Sequence, residues 1–126
     1  DILTTWKNVK KLYLVDVADN IHDRFKSEGD RVKFIHKSSV DASKDFVDSS
    51  LDFVYIDAYH SYESVKDDLN AWYPKLKVGG VICGHDFSIE DVELKLCVAW
   101  SATEFFKLNN LELQTAAADF WGIKKC

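Results

Sequence analysis

Two rhythms of apolar and polar positions alternate along this chain of 126 residues. Short apolar runs rich in β-formers occur at Lys11–Asp16 (KLYLVD), Arg31–His36 (RVKFIH), Leu51–Ile56 (LDFVYI), Val81–Gly84 (VICG), Leu111–Thr115 and Asp119–Ile123. Runs of this length and composition predict strands. The clearest helix begins after Ser61, a residue suited to capping it. Tyr62, Val65, Leu69, Trp72 and Leu76 follow a 3-4-3-4 spacing and form one apolar stripe. Glu63, Lys66, Asp67, Asp68 and Asn70 take the outer face. Pro74 disrupts the last turn, and Gly79-Gly80 are expected to return the chain. Three other segments have helical spacing. Asn20–Glu28 carries Ile21 and Phe25 and stops at Gly29. Val40–Ser49 turns Phe46 and Val47 inward. Asp91–Leu108 buries Val92, Leu96, Ala99 or Trp100, Thr103 and Phe106, and ends at Asn109-Asn110.

Strands alternating with helices predict an α/β fold with a Rossmann-like, mostly parallel sheet and helices on both faces. The few residues between the last two strands predict a C-terminal antiparallel hairpin. The length suits a single domain, 1–126. Ile2, Leu3, Trp6 and Val9 approach helical spacing at the very start. They read as the tail of a helix, so an N-terminally incomplete core is expected.

Composition narrows the function. A formal net charge of −5 argues against general nucleic-acid binding. No apolar run approaches the ~20 residues that a membrane span needs. The three cysteines, Cys83, Cys97 and Cys126, form no C-x-x-C pair. Cys83 and Cys97 read as buried small hydrophobes, and a reducing, cytoplasmic compartment fits them. No G-x-S-x-G, P-loop or H-E-x-x-H motif is present.

The chemistry gathers at strand ends. Three apolar runs finish on or beside aspartate: Asp16, Asp57 and Asp86. In open α/β sheets ligands sit outside the carboxyl ends of the strands. Asp16 suits the two hydroxyls of a ribose; its alternative job is to cap the following helix. If their strands pair, Asp57 and Asp86 share a site and repel each other. A divalent cation, a protonated carboxyl or a cationic ligand group would relieve them; the bland alternative is that each caps a helix. His60 and His85 flank the same place, and either can serve as a general base. His85 is also a candidate metal ligand. His22 and His36 lack such company and read as surface or strand-end residues.

These residues carry a resemblance. Ile56-Asp57-Ala58-Tyr59-His60-Ser61-Tyr62, then Val65, Asp68-Leu69, Trp72, Leu76, Gly79-Gly80 and His85-Asp86-Phe87 resemble the class I S-adenosylmethionine-dependent methyltransferases, in their O-methyltransferase-like branch. KLYLVD looks like that family's second strand and DFWGIKK like its last. The resemblance implies a sheet of order 3-2-1-4-5-7-6 with strand 7 antiparallel. It implies S-adenosylmethionine as cofactor, with Asp16 on the ribose, Ser38-Ser39 by the adenine and Asp57 at the methionine end. It further implies Asp57 and Asp86 as ligands of a divalent metal such as Mg²⁺, with His85 replacing a carboxylate ligand and admitting a softer ion. His60 is then the base that takes a proton from the acceptor, a small molecule or sugar. A homo-oligomer is compatible with this reading. The family's glycine-rich turn after strand 1 has no counterpart in this chain, which leaves a non-catalytic methyltransferase-like binding module as the alternative. A nicotinamide-dependent dehydrogenase is disfavoured by the lack of G-x-G-x-x-G and by the terminal hairpin.

Overall fold

In the computed structural model, residues 5–18, 28–88 and 97–126 are described. They form two compact units, divided between Ala42 and Ser43. In the first unit, β1 (Leu12–Asp16) and β2 (Val32–His36) pair in parallel, from Leu12 against Val32 to Asp16 against His36. Both strands therefore end level with each other. The His36 ring donates from Nε2 to the Val17 carbonyl at 2.7 Å, which ties the exit of β2 to the exit of β1. A short helix, α1 (Ser39–Ser43), follows. The helix expected over Asn20–Glu28 lies almost wholly outside the described residues, as does His22.

The second unit holds β3 (Leu51–Ile56), α2 (Tyr62–Trp72), β4 (Leu76–Gly84), α3 (Cys97–Leu108), β5 (Gln114–Ala116) and β6 (Asp119–Ile123). Its sheet has the order β3-β4-β6-β5. The first pairing is parallel and the other two antiparallel. The expected C-terminal hairpin is therefore present. The expectation of a mostly parallel sheet holds for β1–β2 and β3–β4 only, because the hairpin supplies both antiparallel ladders. In the strand numbering of the resembled family, the two sheets supply 3-2 and 4-5-7-6. No strand among the described residues takes the place of strand 1.

Apolar burial explains the layering of this unit. Leu69 and Val65 on α2, Leu76 and Ile82 on β4, Phe106 on α3 and Phe120 on β6 are all buried. Each contributes roughly 1.5–3 kcal/mol by leaving water. Ser61 caps α2, its hydroxyl accepting from the Ser64 amide at 3.1 Å. Tyr62 donates to the Glu104 carboxylate and so links α2 to α3. A row of edge-on and tilted rings, Tyr73–Phe105–Phe106–Phe120–Phe87, runs through the core at centroid spacings of 5.3 to 6.1 Å. Among the described residues, no helix is long and apolar enough to cross a membrane.

Several expectations are corrected. Leu76 opens β4 instead of closing the stripe of α2, because the chain leaves the helix through a 3₁₀ turn at Tyr73–Lys75 that carries Pro74. Gly79-Gly80 do not return the chain. They lie inside β4, where the pairing with β3 jumps from Leu51–Leu76 to Phe53–Val81 and a bulge absorbs the extra residues. Asp68 is buried, not on the outer face. The helix expected over Val40–Ser49 closes at Ser43. Phe46 still packs on Trp72 at 5.3 Å, but Val47 is 77% exposed. On α3, Ala99 and Phe106 are buried as expected, Trp100 and Thr103 are half-buried, and Val92 and Leu96 lie outside the described residues. Cys97 is exposed, whereas Cys83 is buried. Leu111 is buried, but the strand expected to begin there starts at Gln114.

The hairpin holds a strained residue. Ala116 pairs with Asp119, leaving a two-residue loop whose first position, Ala117, has φ +53°. Glycine is preferred at such a position because a Cβ clashes there. Ala117→Gly is therefore expected to stabilise the fold by ~0.5–1 kcal/mol. A rise in the denaturant midpoint at constant slope checks it, and a lower midpoint counts against the strain.

Candidate active site

The site is built where β3 and β4 stop side by side. Ile56 pairs with Gly84, and the His85 amide donates to the Ile56 carbonyl at 3.2 Å, so the two exits leave together. Asp57 through His60 then cross to the cap of α2 at Ser61. On the other exit, Asp86 takes a left-handed φ of +60°. Aspartate tolerates that region better than most residues, and such backbone clusters at functional sites. Phe87 anchors the turn. Its ring is buried against Phe120, and its amide donates to the Ala118 carbonyl at 2.8 Å.

These exits bring together Asp57, His60 and Asp86. His60 Nε2 lies 3.4 Å from Asp57 Oδ1 and 3.1 Å from Asp86 Oδ2. One imidazole thus stands between two carboxylates, each side chain about half exposed. One ligand atom from each residue lies within 4.8 Å of the other two. Ligands at about 2.0–2.3 Å from a shared cation are separated by no more than about 4.6 Å, so Asp57 and Asp86 can share one small divalent ion after slight contraction, which leaves His60 Nε2 to take a proton.

A second network abuts the first. His85 Nδ1 lies 2.8 Å from Asp119 Oδ1, and the Tyr55 hydroxyl donates to the same oxygen at 2.8 Å. His85 Nε2 is 3.7 Å from Asp86 Oδ1. The hydrogen bond to Asp119 raises the His85 pKa, and the reciprocal bonds from His85 and Tyr55 lower that of Asp119. Burial, then the hydrogen bond to Asp119, pushes the Tyr55 phenol up. Sequence reasoning missed both Tyr55 and Asp119. The signal lay in the hairpin register, because pairing Phe120 with Gly84 sets Asp119 beside His85.

The structure thus joins His60, Asp57 and Asp86 and turns His85 toward Asp119. Asp16, Ser38 and Ser39 belong to the first unit. Asp16 ends β1, and its Oδ1 accepts from the Ala18 amide at 2.8 Å. Ser38 caps α1: its hydroxyl accepts from the Asp41 amide at 3.3 Å and donates to the Asp41 carboxylate at 2.9 Å. Ser39 opens α1 and is half-buried. Cys83 is no nucleophile. Burial pushes its thiol up to about 12, and its Sγ donates to the Val54 carbonyl at 3.2 Å.

Comparison with known proteins identifies the fold and the domain family. A sequence model of a methyltransferase domain matches residues 3–87. An uncharacterised protein of Sinorhizobium fredii is 34% identical over 59 residues, which are 47% of this chain and 6% of that protein. Among solved structures, MycE, a methyltransferase of the mycinamycin biosynthetic pathway in complex with Mg and SAH, superposes with a TM-score of 0.69 at 12% identity. The match covers 91% of this chain and 37% of MycE. The O-methyltransferase NovP superposes with a TM-score of 0.67 at 17% identity, over 99% of this chain and 64% of NovP. The chain thus spans less than two thirds of each of these three proteins. The structural likeness establishes a Rossmann-like methyltransferase fold, and the match over residues 3–87 places this chain in the methyltransferase domain family.

Proposed function

We propose that the chain is the core of an S-adenosylmethionine-dependent methyltransferase that acts on an oxygen of a small molecule or sugar. The observation that carries this reading is His60 held between Asp57 and Asp86 at the level ends of two adjacent parallel strands. When bound, S-adenosylmethionine supplies an electrophilic methyl group, and a divalent cation such as Mg²⁺ supplies polarisation of the acceptor oxygen. His60 accepts the acceptor's proton at Nε2, the nitrogen that faces both carboxylates. Asp57 and Asp86, 3.4 and 3.1 Å from that nitrogen, stabilise the imidazolium that forms and are the carboxylate ligands for the cation. Asp16 receives the ribose hydroxyls through the carboxylate oxygen not used by Ala18, with the Ser38-Ser39 stretch by the adenine. Support comes from the family membership and from MycE, whose solved complex contains Mg and SAH.

Calorimetric titration of the intact protein with S-adenosylmethionine tests the reading. Saturable binding is expected. Asp16→Ala should weaken it by ~1–3 kcal/mol, the range for a lost acceptor in a charged hydrogen bond. No detectable binding by the intact protein overturns the enzyme reading in favour of a non-catalytic methyltransferase-like module. Unchanged affinity in Asp16→Ala removes the ribose role alone.

A further inference from the structure

We propose that His36 is a positioning residue for cofactor binding: it grips the peptide unit between Val17 and Ala18 and so aims the Asp16 carboxylate at the ribose of S-adenosylmethionine. The inference rests on the reading that Asp16 receives the ribose hydroxyls, and it names the residue that holds Asp16 in place to do so.

One peptide unit is held from both sides. Its carbonyl, that of Val17, accepts from His36 Nε2 at 2.7 Å, and its N–H, that of Ala18, donates to Asp16 Oδ1 at 2.8 Å. A peptide unit is planar, and in its trans form the C=O and the N–H point in opposite directions. Fixing the carbonyl therefore fixes the N–H. If the unit rotated, the N–H would leave Asp16 Oδ1, and the carboxylate would lose the bond that sets its direction. A carbonyl only accepts, so the proton of the neutral His36 ring resides on Nε2.

The sheet places the ring for this task. Asp16 and His36 are partners in the parallel register of β1 and β2, so the two strands stop together. Beyond His36 the Lys37 amide donates to the Ile35 carbonyl at 3.1 Å, and Ser38 then caps α1, so the backbone that carries the ring is tied down. The Phe34 ring, two residues back on the same face of β2, lies 6.3 Å from the His36 ring. Val17 is 69% exposed, so hydrogen bonds rather than packing of its side chain fix this exit. A turn free to rotate presents Asp16 correctly for only part of the time, and the apparent affinity falls by that fraction. One hydrogen bond shifts such an equilibrium roughly 2- to 10-fold.

Two measurements on the intact protein test this. The first is made without cofactor. The ¹⁵N spectrum of the neutral His36 ring should show the Nε2–H tautomer, and the Ala18 amide proton should exchange faster in His36→Phe than in the wild type. An Nδ1–H tautomer in the wild type overturns the proposal without any variant needing to fold. The second is calorimetric titration with S-adenosylmethionine. His36→Phe, which keeps an aromatic ring and removes the donor, should weaken binding roughly 2- to 10-fold. His36→Gln, whose side-chain amide still donates, should restore most of it. In an Asp16→Ala background His36→Phe should have no further effect, because a residue that acts through Asp16 cannot act once that carboxylate is gone. A merely structural role would instead add its loss to that of Asp16→Ala. Equal affinity in His36→Phe and wild type, or additive losses in the double variant, overturns this inference and leaves the ribose reading standing. Unchanged affinity in Asp16→Ala, or no binding by the wild type, overturns both.

Discussion

Asp57→Asn is expected to lower the methyl-transfer rate by ~10²-fold, the lower end of what proton transfer to a positioned base contributes, because His60 loses a carboxylate that supports its proton. Asparagine keeps the shape of the side chain but removes its charge. His60 would then face only one carboxylate, Asp86 at 3.1 Å, and an ion in the cluster would lose an anionic ligand. The fold should not register the change. Asp57 is half exposed at a strand exit, and surface substitutions of this kind usually stay within ±0.5 kcal/mol. Initial rates at saturating S-adenosylmethionine, paired with thermal unfolding of the same preparation, separate the two effects. A rate equal to wild type would remove Asp57 from the chemistry, whereas a fallen melting temperature would make the loss structural.

Gly84→Ala should destabilise the fold strongly, by ~3 kcal/mol at the upper end of overpacking costs. A Cβ at this position would lie 2.6 Å from the Ile56 carbonyl oxygen, 2.6 Å from Phe120 Cζ and 2.7 Å from Phe120 Cε1. Neither neighbour can yield. Ile56 is held by the β3–β4 ladder, and Phe120 is fully buried among Phe87 and Phe106. Because Gly84 immediately precedes His85 and Asp86, any backbone shift would also move the site. Gly79→Ala serves as the control: it has φ +83° but open space around its Cβ, so only the backbone preference is lost. Denaturant unfolding of the two variants should show a markedly larger fall for Gly84→Ala, and equal falls would refute the packing argument.

The parts of this molecule that could be read from the chain are those set by local pattern. Runs such as LDFVYI and VICG are short, apolar and β-branched, and they became β3 and the end of β4. The spacing of Val65, Leu69 and Trp72 placed the buried face of α2. Asp57, His60 and Asp86 were legible because strand exits are where a parallel sheet presents ligands. What escaped depended on distant partners. Gly79-Gly80 have the local character of a turn, yet backbone hydrogen bonds with Lys124, just past β6, hold them inside β4. Asp68 looks like a surface residue and is buried. The link from Tyr55 through Asp119 to His85 spans 64 residues of sequence and exists only once β6 has chosen its register against β4.

The glycines of neighbouring strands also govern how relatives of this chain can diverge. Gly122 lies opposite Ile82 on β4, and a Cβ there would strike Phe106 Cε1 and the Glu112 carbonyl oxygen. The aromatic ring of α3 occupies the volume that the missing side chain leaves free. Neither residue is then free to drift alone. A larger residue at 122 requires a smaller one at 106, and a smaller residue at 106 leaves a cavity. Because the Glu112 oxygen is backbone, 2.8 Å from such a Cβ, a smaller residue at 106 alone makes no room, and position 122 should stay glycine in relatives that keep this register.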